Sequence, residues 1–385
     1  MNRIAIDMNP LVYGTRAVKR CLICMTNELL QFKDISYNLL YFDYKHQTKK
    51  YLRPLPRRVE EKIISIPNRV LSYCWKKFSW PYLETITSEC DVLYVNEFYF
   101  PPAKRALVLA TVHGLAYKII PEKILPHVVQ SLDEGFSYIL NHADYLVAVS
   151  ETTKKELIRH VGVAPERIYV VTHGVNKQFR QRKKQQVVWE RLNNIYGLNR
   201  SYILYVGAIG IHKNIMGILS AYEKLSSKVS IDLVLGGPPD SAWDSAHQFV
   251  NEHKLSDCVH FLGHVYETEN LVDLYNGADL FVFPSFYEGW SSPPLEAMAC
   301  GTPVITSNCS SLPETVGDAA IKVDPNNTEE LAYEMERVLS DKMLQSELIN
   351  KGFDHVALHT WEKAASKLIQ VFADIQKRGP WKRQG

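Results

Sequence analysis

Cysteine is scarce in this chain, with seven in 385 residues. An odd number spread over so long a sequence excludes a disulfide framework and points to reduced thiols. Cys21 and Cys24 form a lone Cys-x-x-Cys without a second pair or a histidine cluster. Leu22, Ile23, Met25 and Leu29 surround them in the pattern of a buried helix, so core packing is expected there rather than metal ligation. Long apolar runs are missing too. None reaches the roughly 18 residues that would span a bilayer, and Asp7 interrupts the first apolar segment where a secretory signal needs an unbroken one. A cytoplasmic location is the expectation. There is no internal repeat and no low-complexity tract. No Gly-x-Gly-x-x-Gly turn follows a first strand, and neither Gly207-Ala208-Ile209-Gly210 nor Gly236-Gly237 matches one, which argues against a dinucleotide-dependent oxidoreductase.

What is present is a globular composition, 46% hydrophobic and 22% charged, in a chain too long for one ordinary core. Short apolar runs at 3–7, 37–42, 91–95, 107–112, 144–149 and 168–171, then at 202–206, 231–235, 258–262, 279–283 and 303–306, alternate with helical stretches. Two successive α/β units follow from that alternation. The polar stretch from Arg180 to Glu190 leads into a boundary placed near 195, giving domains of 1–195 and 196–361. Charge divides along the same line. Residues 1–196 carry a net +11 and residues 197–385 a net −9. Basic clusters at Lys49-Lys50, Arg53, Arg57-Arg58, Lys76-Lys77 and Arg180 to Lys184, with Tyr73, Trp75, Phe78 and Trp80 interleaved, suit an anionic membrane surface. Complementarity with the acidic second half is an equal alternative. Nucleic acid is disfavoured because no recognition motif accompanies the charge.

The most informative stretch is Tyr287-Glu288-Gly289-Trp290-Ser291-Ser292-Pro293-Pro294-Leu295-Glu296-Ala297-Met298-Ala299-Cys300-Gly301. A buried strand over Leu280–Phe283 is broken by Pro284, and the Pro293-Pro294 pair suits a helix start, which places Glu296 in a first helical turn. Glu288 falls in the loop before it. A helix start at the carboxyl end of a parallel strand is a natural diphosphate site.

This block resembles the Glu-x7-Glu signature of glycosyltransferase family 4, retaining enzymes of the GT-B fold. Other segments resemble that family in the same order: Arg3 to Asp7, Thr111-Val112-His113-Gly114, Val149 to Lys154, His173-Gly174-Val175-Asn176, Tyr205-Val206-Gly207 through His212-Lys213-Asn214, and Thr360 to Lys363. The resemblance implies two Rossmann-like domains facing a central cleft, with C-terminal helices over about 362–385 returning to the first. It further implies that Lys213 neutralises the departing nucleotide diphosphate and that Glu296 holds the donor ribose. Glu288 and His113 would contact the donor sugar, Gly263 and Val265 would pass the nucleobase, and Gly207, Gly289, Trp290, Ser291, Ser292, Pro293 and Leu295 would line the donor site.

Two departures stand out. The family's glycine-rich turn after the first strand is replaced by Arg16-Ala17-Val18-Lys19-Arg20, so Lys19 and Arg20 become the acceptor- and phosphate-side candidates. Trp290-Ser291-Ser292 replaces the common Phe-Gly-Leu, and Ala208 stands where a second cation is usual. No Asp-x-Asp pair occurs, so no metal and no cofactor beyond the nucleotide sugar is expected.

The implied activity is transfer of a hexose, mannose from GDP-mannose as the first choice, onto a lipid-linked glycan of a bacterial surface polysaccharide such as O-antigen. The enzyme would work peripherally at the inner face of the cell membrane. The same fold using a UDP- or dTDP-sugar for glucosyl, N-acetylglucosaminyl or rhamnosyl transfer, or an inactive sugar-nucleotide-binding scaffold, is the alternative.

Overall fold

The computed structural model describes residues 2–14, 16–45, 55–87, 90–183 and 185–381. Lys49, Lys50, Arg53 and Lys184 of the basic clusters lie outside them. The chain forms two compact units, one of Met1–Tyr117, His127–His173 and Trp361–Gly385, the other of Lys118–Pro126 and Gly174–Thr360.

The first unit is built on seven parallel strands: β1 (Asn2–Asp7), β2 (Ile35–Tyr41), β3 (Val59–Ile63), β4 (Val92–Val95), β5 (Leu107–Val112), β6 (Tyr145–Ala148) and β7 (Ile168–Val170). Their order is β3-β2-β1-β4-β5-β6-β7, so the winding reverses between β1 and β4. The second unit has β8 (Tyr202–Val206), β9 (Asp232–Gly236), β10 (Val259–Gly263), β11 (Leu280–Phe283), β12 (Val304–Ser307) and β13 (Ile321–Val323), in the order β10-β9-β8-β11-β12-β13. There the reversal falls between β8 and β11.

Central strands such as Tyr202-Ile203-Leu204-Tyr205 and Leu280-Phe281-Val282 are wholly buried, as expected of a parallel sheet covered on both faces. The eleven apolar runs all appear as strands. The two that the pattern missed are β3, Val-Glu-Glu-Lys-Ile, and the three-residue β13. Both are edge strands, where one side needs no apolar partner and the hydrophobic signal fades.

The helix Trp361–Arg378 belongs to the first unit. It buries Leu368, Phe372 and Ile375, sets Phe372 edge-on to Tyr94 at 5.8 Å, and is followed by Gly379, whose carbonyl accepts from the Tyr145 hydroxyl. The division between units, however, falls at His173/Gly174 and not near 195. Helix Gln185–Tyr196 puts Val188 and Leu192 into the second unit's core, and Trp189 packs edge-on against Tyr202 at 5.8 Å. Arg182 and Arg191 pair with Asp273 at 3.6 and 2.9 Å and with Glu269 at 2.5 and 3.4 Å. The polar stretch read as leading into the boundary therefore has Arg182 facing acidic groups of its own unit, as does Arg191 just after it.

Cys21 and Cys24 lie on helix Arg16–Leu29, whose Leu22, Met25 and Leu29 are buried. Trp75 is a correction to the surface reading. It is fully buried on helix Asn68–Phe78, edge-on to Phe42 at 5.1 Å, with its indole N–H on the Pro81 carbonyl. Lys76 is also engaged, 3.1 Å from Glu134 and 4.9 Å above the Tyr99 ring.

Candidate active site

In the second unit the candidate residues gather at the carboxyl ends of β8 and β11, the winding reversal where open α/β sheets bind ligands. After β8 the chain turns through Gly207, whose N–H donates to Gly236. It then runs to a short turn, Ile211–Lys213, and into helix Ile215–Ser226. Asn214 caps that turn in the left-handed region, φ 60°, and its amide donates 2.6 Å to the Pro325 carbonyl. The Phe286 N–H donates to the His212 carbonyl, tying this loop to the one after β11.

The result is a contact the sequence alone did not reveal. Lys213 Nζ donates to Glu288 Oε1 at 2.5 Å, with both side chains largely buried. Glu288 is itself clamped: its N–H donates to the Ser310 hydroxyl, and its carbonyl accepts from the hydroxyls of Ser310 and Ser311. Ser310 adopts φ 57° to reach it, a left-handed conformation that a serine adopts only at some cost. Nothing in the motif spacing points to these serines, because they follow β12 and only the sheet order brings them beside β11.

Glu296 falls just past the first helical turn rather than within it. Helix Ser292–Ala299 begins at Ser292, which makes Glu296 its fifth residue. The carboxylate is buried, and Tyr275 Oη donates 3.2 Å to Oε2. The helix start is also a poorer anion site than the position suggested. A helix leaves its first four N–H groups unpaired, but Pro293 and Pro294 have none, so Ser291 and Ser292 alone contribute. Ser285 Oγ, Trp290 Nε1 and Ser291 Oγ are buried without a hydrogen-bond partner among the described residues, and Trp290 packs 5.3 Å from His359.

Gly263 ends β10 at φ 63° beside a bulge, and Val265 is buried with a methyl near Gly236, so both lie next to β9. Leu295 is fully buried in the core, while Gly289, Ser292 and Pro293 stay in the loop-to-helix junction. Beside Lys213, burial and the neighbouring ammonium hold the His212 imidazole below its ordinary pKa. It is thus mainly neutral near pH 7 and does not replace the missing second cation.

The remaining candidates belong to the first unit. His113 follows β5, and burial pushes its pKa down to about 4. Its Nε2 has no partner among the described residues, and its ring lies 5.7 Å from His173, itself pushed down to about 3 by burial and by His113. His173 is held by Cys21 Sγ at 3.4 Å and stacks on Trp361. A neutral His113 offers a hydrogen bond to a hydroxyl and no charge to a phosphate. Lys19 and Arg20 lie on helix Arg16–Leu29, where Lys19 donates to the Val12 carbonyl at 3.4 Å.

Comparison with known proteins gives a consistent picture. Residues 39–179 match the family described as Glycosyltransferase Family 4, and residues 191–355 match Glycosyl transferases group 1. The O-antigen chain mannosyltransferase B of Escherichia coli is 28% identical over 73% of this chain and 74% of its own length. The serotype-specific mannosyltransferase WbdA of Escherichia coli is 28% identical over 60% of this chain, which spans 29% of that longer protein. Among solved structures, Anabaena HepE in complex with UDP and glucose superposes with a TM-score of 0.73 at 16% identity, covering 97% of this chain and 100% of that one; at such identity the likeness concerns the fold.

Proposed function

The chain belongs to the glycosyltransferases that these two matched domains define, with the GT-B fold, and we propose that it transfers mannose from GDP-mannose to a lipid-linked glycan in surface-polysaccharide synthesis. The observation that carries the reading is the Lys213–Glu288 pair at the β8/β11 reversal, in a loop region where Ser285 Oγ, Trp290 Nε1 and Ser291 Oγ are buried without a hydrogen-bond partner among the described residues. The choice of mannose is supported by the mannosyltransferase relatives.

In the proposed mechanism the bond between the sugar C1 and the diphosphate oxygen breaks while the acceptor oxygen bonds to C1 on the same face. The acceptor proton passes to the departing phosphate. Lys213 stabilises the charge growing on that phosphate, which is where a preorganised cation has most effect. Glu288 orients the sugar and the lysine together and is no nucleophile, so the two-carboxylate scheme of glycosidases does not apply. Glu296 is proposed to hold the ribose and His113 a donor-sugar hydroxyl. No metal is required in this reading. Mixing the protein with GDP-mannose, UDP-glucose, UDP-N-acetylglucosamine or dTDP-rhamnose and a short mannose-terminated acceptor, in the presence of EDTA, tests it. Product should form from GDP-mannose alone; turnover from another donor, or only after Mn²⁺ is restored, overturns it.

Association with an anionic membrane face is part of the same proposal. On and around helix Asn68–Phe78 the side chains of Ile66, Val70, Tyr73, Phe78 and Trp80 are exposed, together with Lys77. Apolar insertion beside a cation suits a lipid interface. The triple variant Lys77→Glu, Phe78→Ser, Trp80→Ser should sediment about 10-fold less with phosphatidylglycerol vesicles, and binding by the parent should weaken as salt rises. Equal sedimentation would assign the surface another role.

A further inference from the structure

The segment Lys118–Pro126 lies in the chain between β5 and helix Pro126–His142, yet it belongs to the second unit. One lysine ties it there. Lys123 closes the single turn Pro121–Lys123 and sets its ammonium 3.8 Å from the centre of the Phe286 ring. Half-buried, that ammonium has no ion-pair or hydrogen-bond partner among the described residues. Phe286 stands in the loop after β11. Its N–H donates to the His212 carbonyl at 2.9 Å, its carbonyl accepts from Cys309 Sγ, and Ser285 before it is fully buried with an unpartnered Oγ. An uncompensated cation therefore rests on a loop tied to the one that carries Lys213.

The charges already placed at this site do not match a diphosphate. Lys213 donates to Glu288 at 2.5 Å, so the pair is neutral as a whole, and His212 is mainly uncharged near pH 7. Pro293 and Pro294 remove two of the N–H groups that a helix start would offer. We propose that Lys123 is a second cation of the donor site, leaving the Phe286 ring to bind the diphosphate of the nucleotide sugar. This assignment rests on the glycosyl-transfer reading above. A lysine on an aromatic face gives up a weak contact when it moves to a phosphate, where its hydrogen bond is charge-assisted at both ends. Its flexible four-carbon stem lets the ammonium turn without a backbone movement. As the bond to the sugar C1 breaks, Lys123 and Lys213 share the charge that grows on the departing diphosphate.

The test uses the full chain and begins with nucleotide binding, apart from turnover. Lys123→Met keeps the unbranched stem and removes the charge, Lys123→Arg keeps the charge, and Phe286→Leu removes the ring while leaving its backbone ties. In calorimetry GDP should bind Lys123→Met about 10-fold more weakly than the parent, and Lys123→Arg and Phe286→Leu within about 3-fold of it. Guanosine, followed by ligand-observed NMR, should bind all four proteins within about 2-fold, since it carries no phosphate. In turnover, Lys123→Met should lower kcat/KM for the donor by about 10-fold or more with the acceptor KM unchanged, and Lys123→Arg should restore most of it. Every variant should melt within about 3 °C of the parent. Parent-like GDP affinity in Lys123→Met, an equal loss of GDP and guanosine, or the same loss in Phe286→Leu would each overturn the proposal, the last because the lysine would then serve only to dock its segment. If the parent binds UDP or dTDP in place of GDP, the choice of donor fails, and the same comparison with that nucleotide decides Lys123. If it binds no nucleoside diphosphate, the transfer reading and this inference fall together.

Discussion

Replacing Lys213 by alanine should lower turnover by about 10²-fold or more, because one preorganised charge contact to a leaving group contributes several kcal/mol in the transition state. Lys213 is held 2.5 Å from Glu288 by a loop whose backbone is tied to the β11 loop, so little reorganisation precedes reaction. The loss should appear in kcat more than in donor KM, since the charge on the phosphate grows only as the bond breaks. Glu288→Gln should also be impaired, and the double variant should lose much less than the product of the two single losses, since both act through one ion pair. Steady-state kinetics on the four proteins, with circular dichroism to confirm folding, measures this. Near-normal turnover in Lys213→Ala would remove the lysine from the reaction.

The largest effect on stability is expected at Gly237. A methyl group there would stand 1.6 Å from the Gly207 carbonyl oxygen, and backbone on both sides leaves no flexible side chain to give way. Gly237→Ala should cost more than about 4 kcal/mol, in the range reserved for overpacking that the fold cannot absorb. Thermal unfolding of the second unit should fall by roughly 10 °C or more, or the protein should fail to accumulate. Gly236→Ala is the control. Its added methyl would meet its nearest neighbour at 3.6 Å, ordinary contact, and the variant should melt within about 3 °C of the parent. The Gly207 loop leads directly to Lys213, so a partly folded Gly237→Ala protein should also lose donor binding.

The alternation of apolar runs and helices was legible because parallel strands buried on both faces must be continuously hydrophobic, and the eleven runs needed no knowledge of their neighbours. The edge strand Val59–Ile63 was not legible, with three of its five residues charged. The boundary near 195 was misplaced for a related reason: Arg180 to Glu190 read as a polar lead into a boundary until Asp273 and Glu269 are seen beside Arg182 and, one residue beyond the stretch, Arg191. Trp75 read as surface because it stands between exposed aromatics and lysines, whereas its helix turns it inward onto Phe42.

Sequence by itself determined the fold class, the family and the small set of side chains around Glu288 and Glu296, since strand period, turn residues and motif spacing are local properties. Tertiary structure alone decided what those side chains contact. It paired Lys213 with Glu288 across 75 residues, brought Ser310 and Ser311 under Glu288, and sank Glu296 beside Tyr275. It also set Asp7, Asn9 and Asn96 at one winding reversal, each with a buried polar atom that has no hydrogen-bond partner among the described residues. The physical reason is that sheet order is not chain order: strands adjacent in space are remote in sequence, and burial, partner and pKa belong to that spatial neighbourhood.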